Sequence, residues 1–373
     1  MIKRQLEALL RKRWNSGKVL IVLGPRQVGK TTLLETICKE EGDYLFFNGD
    51  DIDTQTTLEN VGEVRLRQLI GSHHTVFFDE AQRIHNIGLT IKIIHDQIKN
   101  VRVVVSGSSA LELMSTVNEP LTGRKWEYQL YPVSWNELVN HAGYLGASQH
   151  FETRMLYGMY PEVITNIGDE EAILRQIAGS YLYKDLLNYQ GIRKPEMLSK
   201  LLVALALQVG SEVSYNELSN LIRMDRTTIE LYIGLLEQAF VLFRLPPFSR
   251  NIRSEISSSR KIYFYDNGIR NAIINNFNPL ALRSDVGALW ENFLISERMK
   301  ANHYNQAHGR SYFWRTHAQQ EIDYIEEFGG RLHAFEFKWN PGAKAKFSKT
   351  FTEAYPDAMT QVISRDNFEE FLK

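Results

Sequence analysis

One cysteine, Cys38, is all the thiol chemistry that the 373 residues carry. This excludes an internal disulfide and a cysteine-rich zinc site, and it suits a reducing cytoplasm. Neither sign of charge is in surplus: 43 Lys and Arg stand against 44 Asp and Glu, a formal net charge of -1. Any nucleic-acid surface must therefore be a local patch. Long apolar runs are also missing. The most apolar stretch, residues 201–209, is too short to span a bilayer. Residues 2–14 are broken throughout by charges and lack the apolar core of a signal peptide; their apolar positions have helical spacing, and their basic residues are expected on a solvated face. A soluble, cytoplasmic chain without a membrane partner is the expectation. With 43% hydrophobic and 23% charged residues the composition is globular, and the length exceeds what one core serves, so two or three domains are expected.

The most specific stretch is Gly24-Pro25-Arg26-Gln27-Val28-Gly29-Lys30-Thr31. It follows the apolar run Val19-Leu20-Ile21-Val22-Leu23 and precedes a helical pattern opening at Thr32. Strand, glycine-rich turn and helix are the setting of a phosphate-binding P-loop, whose backbone N–H groups cradle phosphate oxygens. Residues 24–32 are thus the expected ATP contacts, with Lys30 reaching the β- and γ-phosphates and Thr31 holding Mg²⁺.

A second apolar run, Thr75-Val76-Phe77-Phe78, ends in Asp79-Glu80. Such a strand carries Asp79 to the edge of the sheet beside the P-loop, where it can orient Mg²⁺, and leaves Glu80 suited to act as general base on water. The spelling Asp79-Glu80-Ala81-Gln82 is that of a helicase box, but no second helicase core follows. A third run, residues 101–105, leads into Ser106-Gly107-Ser108-Ser109; Ser108 is a candidate reporter of the γ-phosphate, with helix capping as the alternative. Leu121-Thr122-Gly123-Arg124 precedes the last strand pattern, and Arg124 is a candidate arginine finger in its own subunit or a neighbour's, against a surface salt bridge.

From residue 134 to 189 the pattern turns helical. Residues 197–243 then read as two helices joined by a short turn and followed by a strand, a winged helix-turn-helix with Arg223, Arg226 and Thr227 at the start of the second helix. DNA or a protein partner can be met by such an element. Further on, twelve residues separate Asp323 from Glu336-Phe337-Lys338. In a strand Glu336 and Lys338 point to one face, and an adjacent strand can bring Asp323 alongside. Two metal-binding carboxylates and a lysine suit phosphodiester cleavage, with Glu291 from the preceding helix completing the set. A half-exposed hairpin with alternating charges fits the same pattern.

On these motifs, together with Tyr263-Phe264-Tyr265-Asp266-Asn267-Gly268, the chain resembles a prokaryotic family of AAA-type P-loop ATPases joined to a winged helix and a C-terminal domain of unknown function. The resemblance implies ATP binding, with hydrolysis through Lys30, Thr31, Asp79 and Glu80, and a C-terminal domain similar to the PD-(D/E)xK restriction-endonuclease core at Glu291, Asp323, Glu336 and Lys338, although Ile322 stands where that pattern has proline. The expected fold is α/β: a parallel-sheet P-loop core over residues 1–142, a helical linker over 143–194, a winged helix over 195–260 and a nuclease-like domain over 261–373. The expected function is an ATPase coupled to a DNA-facing, nuclease-like module. The alternative is a nucleotide-dependent switch that binds a protein partner or itself, its C-terminal domain a scaffold.

Overall fold

The three apolar runs become the centre of a parallel sheet because each is apolar on both faces and needs cover on both. In the computed structural model, which describes residues 1–108, 120–182, 192, 194–249, 260–316, 318–343 and 345–373, the chain divides into two units. One is Met1–Val133 with Gln238–Phe240, the other Ser134–Glu237 with Val241–Lys373.

The first unit opens with helix α1 (Leu6–Arg13) and runs through β1 (Val19–Leu23), α2 (Lys30–Glu41), β2 (Leu45–Asn48), α3 (Ile52–Leu58), α4 (Glu63–Ile70), β3 (Thr75–Asp79), α5 (Ile87–Gln97), β4 (Arg102–Gly107) and β5 (Lys125–Gln129). Its strands form one parallel sheet in the order β2-β3-β4-β1-β5. All five residues of β1 and of β3 are buried. The carboxyl ends of β1, β3 and β4 share one edge, where ligands of such sheets bind. Cys38 lies buried in α2, and burial pushes its thiol up to about 12, so its role is packing. Asp51 caps α3 through the amides of Asp53 and Thr54.

The second unit starts with α6 (Trp135–Gln149), capped by Ser134 and Glu137 in reciprocal hydrogen bonds. Helices α7 (Phe151–Tyr157), α8 (Pro161–Thr165), α9 (Glu170–Gln176) and α10 (Pro195–Leu207) follow, in keeping with the helical reading of this region. Next come β6 (Glu212–Val213), α11 (Tyr215–Ile222), α12 (Arg226–Gln238), β7 (Leu242–Leu245) and β8 (Arg260–Phe264), with the strands in one antiparallel sheet ordered β6-β8-β7. The Ser214 hydroxyl accepts from the Glu217 amide, 3.4 Å away, at the start of α11. The remainder is α13 (Asn267–Ile273), the long α14 (Val286–Tyr304), β9 (Arg310–Arg315), β10 (Glu321–Phe328), β11 (Arg331–Phe337), α15 (Lys349–Ala354), β12 (Met359–Ile363) and α16 (Phe368–Phe371). Its sheet has the order β12-β11-β10-β9, antiparallel except for the parallel pair β11 and β12. Trp135, Phe151, Trp290, Phe293 and Phe368 stack into an aromatic core within this unit.

Two expected boundaries move. The break near residue 142 falls at 133/134, because α6 begins at its own capping box. The break at 260/261 would cut β8 from its partners: Leu242 to Leu245 pair with Phe264 to Lys261, so this strand closes the preceding small sheet instead of opening the C-terminal one.

Candidate active site

Gly24 and Gly29 shape the loop after β1. A Cβ on Gly24 would lie 2.0 Å from the Leu130 carbonyl oxygen, and Gly29 holds φ +91 as it starts α2, so neither position admits a side chain without strain. Arg4 fixes the loop from beneath: buried at 7% exposure, it donates to the Val28 carbonyl at 2.5 Å and to the Tyr131 carbonyl at 2.6 Å. For Arg4 this corrects the expectation of a solvated basic face, on which Lys3 and Lys12 do lie exposed. Lys30 is also buried, its ammonium donating to the carbonyls of Gly24 at 2.9 Å and Pro25 at 2.8 Å.

The acidic pair arrives from β3. Thr31 Oγ1 donates to the Asp79 carboxylate, 3.0 and 2.9 Å from its two oxygens, and the Ser106 hydroxyl donates to the same group. Burial pushes the Asp79 carboxyl upward, and its hydrogen bonds from Ser106 and Thr31 only partly offset this. Glu80 leaves the strand in a left-handed conformation, φ 46, a strained state that turns its side chain across the sheet edge. Gly49 makes room for that turn, since a Cβ there would stand 2.3 Å from the Glu80 carbonyl oxygen. The Glu80 carboxylate accepts from Ser108 Oγ at 2.8 Å and Gln82 Nε2 at 2.6 Å, and Gln82 Nε2 also donates to Ser108 Oγ at 3.0 Å. Burial raises the Glu80 carboxyl, but the Lys30 ammonium, these two hydrogen bonds and the Arg26 guanidinium outweigh it and hold the group below its ordinary value. Glu80 therefore stands ionised and able to accept a proton.

Most of the expected set converges: Gly24, Pro25, Gly29, Lys30, Thr31, Asp79, Glu80 and Ser108 gather at one edge, and Arg26 acts on Glu80 from the loop. Gln27 adopts φ 61 in the turn, Val28 is buried as packing, and Thr32 sits exposed in the first turn of α2. Arg124 does not converge. It precedes β5, whose first residue, Lys125, pairs with Val19 at the start of β1, so it sits at the edge of the sheet opposite the P-loop. There its Nε donates to Asp96 Oδ1 at 2.8 Å and, with His95, holds that carboxyl at about 2. An arginine finger acting on this chain's own nucleotide is thereby corrected to an ion pair. Ser106, Gln82 and Arg4 are the residues that the motif reading missed; Gln82 stood inside the quoted Asp79-Glu80-Ala81-Gln82, and Ser106 two positions before Ser108.

A separate cluster forms in the second unit. Asp323 on β10 accepts from the Phe337 amide of β11 at 2.8 Å, and Lys338 Nζ donates to Glu336 Oε2 at 3.0 Å. Glu291 on α14 accepts from Tyr263 Oη at 2.6 Å and Lys261 Nζ at 3.0 Å, and Lys261 also pairs with Glu321. Burial, the Lys261 ammonium acting against it and the nearby Asp323 charge together carry Glu291 to about 7. Glu291, Asp323, Glu336 and Lys338 lie near enough to act on one another's charge. The unexpected member is Lys261, 1% exposed, whose ammonium stands among the carboxylates. Among the described residues no group of three or more His, Cys, Asp or Glu side chains is arranged to hold a metal ion.

Comparison with known proteins bears on the fold of the first unit. Residues 16–139 match the family model of an AAA domain. This segment is similar to an AAA-type P-loop ATPase domain. Residues 148–280 and 286–369 match two domains of unknown function, DUF8612 and DUF4143. An uncharacterized protein of Mycobacterium tuberculosis is 28% identical over 345 residues, covering 90% of this chain and 74% of that protein. Another uncharacterized protein, from Haemophilus influenzae, is 24% identical over 276 residues, 68% of each chain. Among solved structures, a Walker-type ATPase of Pyrococcus abyssi superposes with a TM-score of 0.51 at 14% identity, over 73% of this chain and 96% of that one, a likeness of fold. The AAA match implies nucleotide binding. Among the described residues no helix is long and apolar enough to cross a membrane.

Proposed function

We propose that this chain hydrolyses ATP with Mg²⁺ and couples its nucleotide state to the helix-turn-helix and C-terminal modules of the second unit. The observation that carries the ATPase reading is the meeting of Thr31 and Asp79 within hydrogen-bond distance, beside an ionised Glu80. A hydroxyl and a carboxylate at one point are the oxygen ligands that Mg²⁺ prefers, and the glycine-shaped cradle with the first amides of α2 suits phosphate. Mg²⁺ bound there would neutralise charge on the phosphates. Lys30 exchanges its two loop carbonyls for phosphate oxygens, Thr31 and Asp79 orient the metal, and Glu80 takes a proton from the attacking water.

Substituting two residues tests this. Lys30→Ala is expected to abolish ATP binding, whereas Glu80→Gln binds ATP and slows turnover by about 10²- to 10⁴-fold, the usual worth of a general base. Normal phosphate release by the Glu80→Gln protein would overturn the assignment.

The order helix, strand, two helices, two strands over α10 to β8 supports a winged helix; Arg226 and Thr227 lie exposed at the start of α12 and Arg223 is exposed in the turn that ends α11, where DNA phosphates can be met. The four-stranded sheet with α14, bearing Glu291, Asp323, Glu336 and Lys338, supports a restriction-endonuclease-like core. One observation favours the second reading, a switch for a protein partner with an inactive C-terminal scaffold: besides Lys338, the buried Lys261 supplies a second positive charge, paired with Glu291 and Glu321. DNA cleavage with Mg²⁺ or Mn²⁺ that disappears on Asp323→Ala and Lys338→Ala would establish the nuclease; no cleavage of any DNA form favours the scaffold.

A further inference from the structure

The two ends of the Gln82 side chain do different things at the ATPase site. Its amide nitrogen donates to Glu80 Oε2 at 2.6 Å and to Ser108 Oγ at 3.0 Å. An ionised carboxylate can only accept, so the nitrogen must be the end that faces Glu80. That fixes the orientation of the amide and aims its oxygen elsewhere. The oxygen is buried and accepts no hydrogen bond among the described residues. A buried acceptor without a donor is costly, and such groups are characteristically met by water or by a ligand. Gln82 is carried on the single turn of 3₁₀ helix Ala81–Arg83, directly after the strained Glu80, so backbone geometry ties the two side chains together.

We infer that Gln82 positions the attacking water, its amide oxygen accepting one water hydrogen while Glu80 takes the other. The inference rests on the ATPase reading and names a residue for that reaction which the P-loop motifs do not include. Two acceptors held side by side by one hydrogen-bonded group match the two hydrogens of a single water, leaving an oxygen lone pair to point at phosphorus. In the step itself the water oxygen bonds to the terminal phosphorus. The bond from that phosphorus to the bridging oxygen breaks, and its electron pair leaves on ADP. One water proton passes to Glu80; the second stays on the transferred oxygen, directed at Gln82. Orientation of this kind acts in the transition state and contributes little to ground-state binding.

The test uses the full chain with Gln82→Ala, Gln82→Met as a volume-matched partner, and Ser108→Ala, which removes the other donor to Glu80. Affinity for ADP with Mg²⁺ and KM for ATP are expected to stay within about threefold of the parent in both Gln82 variants, while kcat falls about 10- to 100-fold. Binding of ADP with aluminium fluoride, which mimics the transferring phosphoryl group and its in-line water, should weaken at least about tenfold relative to ADP alone. Ser108→Ala should lose less than Gln82→Met, because it leaves the water-facing oxygen in place. Parental kcat in Gln82→Met, an equal loss of ADP and analogue binding, or equal effects of Ser108→Ala and Gln82→Met would overturn the inference while leaving the ATPase reading standing. Absence of ATP turnover in the parent chain would overturn both.

Discussion

Thr31 Oγ1 and the Asp79 carboxylate, 48 positions apart in sequence, stand 2.9 Å from one another across the mouth of the P-loop. The contact joins the first turn of α2 to the end of β3, and it is one that a divalent cation would draw apart. Removing that cation is therefore expected to cost binding. Thermal stabilisation by ATP should shrink when EDTA replaces Mg²⁺, by about 1–3 kcal/mol for a ten- to hundredfold loss of affinity. Asp79→Asn should show the smaller stabilisation in both conditions, read by differential scanning fluorimetry.

Arg4 supports the same loop from the other side, through the Val28 and Tyr131 carbonyls. Losing a buried charged donor leaves two acceptors unmet, so Arg4→Ala is expected to destabilise the chain by about 2–3 kcal/mol in urea unfolding. Nucleotide affinity should fall with it, because Val28 lies within the phosphate loop. Arg4→Lys should restore little, since an ammonium lacks the fork that serves both carbonyls.

Arg124 gives a contrasting expectation. Paired with Asp96 at the far edge of the sheet, it should be replaceable by Ala with ATP turnover changed by less than about twofold. The measurement belongs at several protein concentrations. A loss that grows with concentration would instead place Arg124 at a neighbouring copy's nucleotide.

Lys261 is the side chain on which the second unit's carboxylates depend. Lys261→Met would leave the buried Glu291 without its cation and Glu321 with Arg315 alone, 3.6 Å away, a change expected to cost about 3–5 kcal/mol. Glu291 also predicts a pH dependence. Its carboxyl is raised from 4.5 to about 7, so between those values the folded chain keeps a proton that the unfolded chain has released. Stability contributed below pH 4.5 is lost as pH rises toward 7. Urea unfolding at pH 5 and pH 8 should show a decline of about 1–3 kcal/mol that is absent in Glu291→Gln.

The parts legible in the sequence are those in which neighbouring residues carry the whole signal. Val19 to Leu23 and Thr75 to Asp79 read as buried strands because both faces are apolar, and the P-loop between Gly24 and Thr31 needs only its own spacing. Contacts of buried cations across long separations left no such mark. Arg4 meets Val28 24 positions on, and Lys261 meets Glu291 30 positions on; each looked like one more basic residue. Arg124 illustrates a different failure. In a parallel sheet a residue before one strand and a loop after its neighbour lie at opposite edges, so its position against the P-loop follows from strand direction, which a motif does not encode. The β8 boundary was missed because its pairing partner, β7, lies on the far side of residues 250–259.

The side chain of Asn292 behaves as a piece of backbone. Its amide accepts from the Phe264 N–H at 2.7 Å and donates to the Phe264 carbonyl at 3.1 Å, completing the end of β8 as an adjoining strand would. Asn292 and Phe264 fall in different family matches, 286–369 and 148–280, so the seam between the two recognised segments is stitched by hydrogen bonds that neither half can make alone. The two segments should melt together in one cooperative transition, and a protease that cuts between them should yield fragments that remain associated.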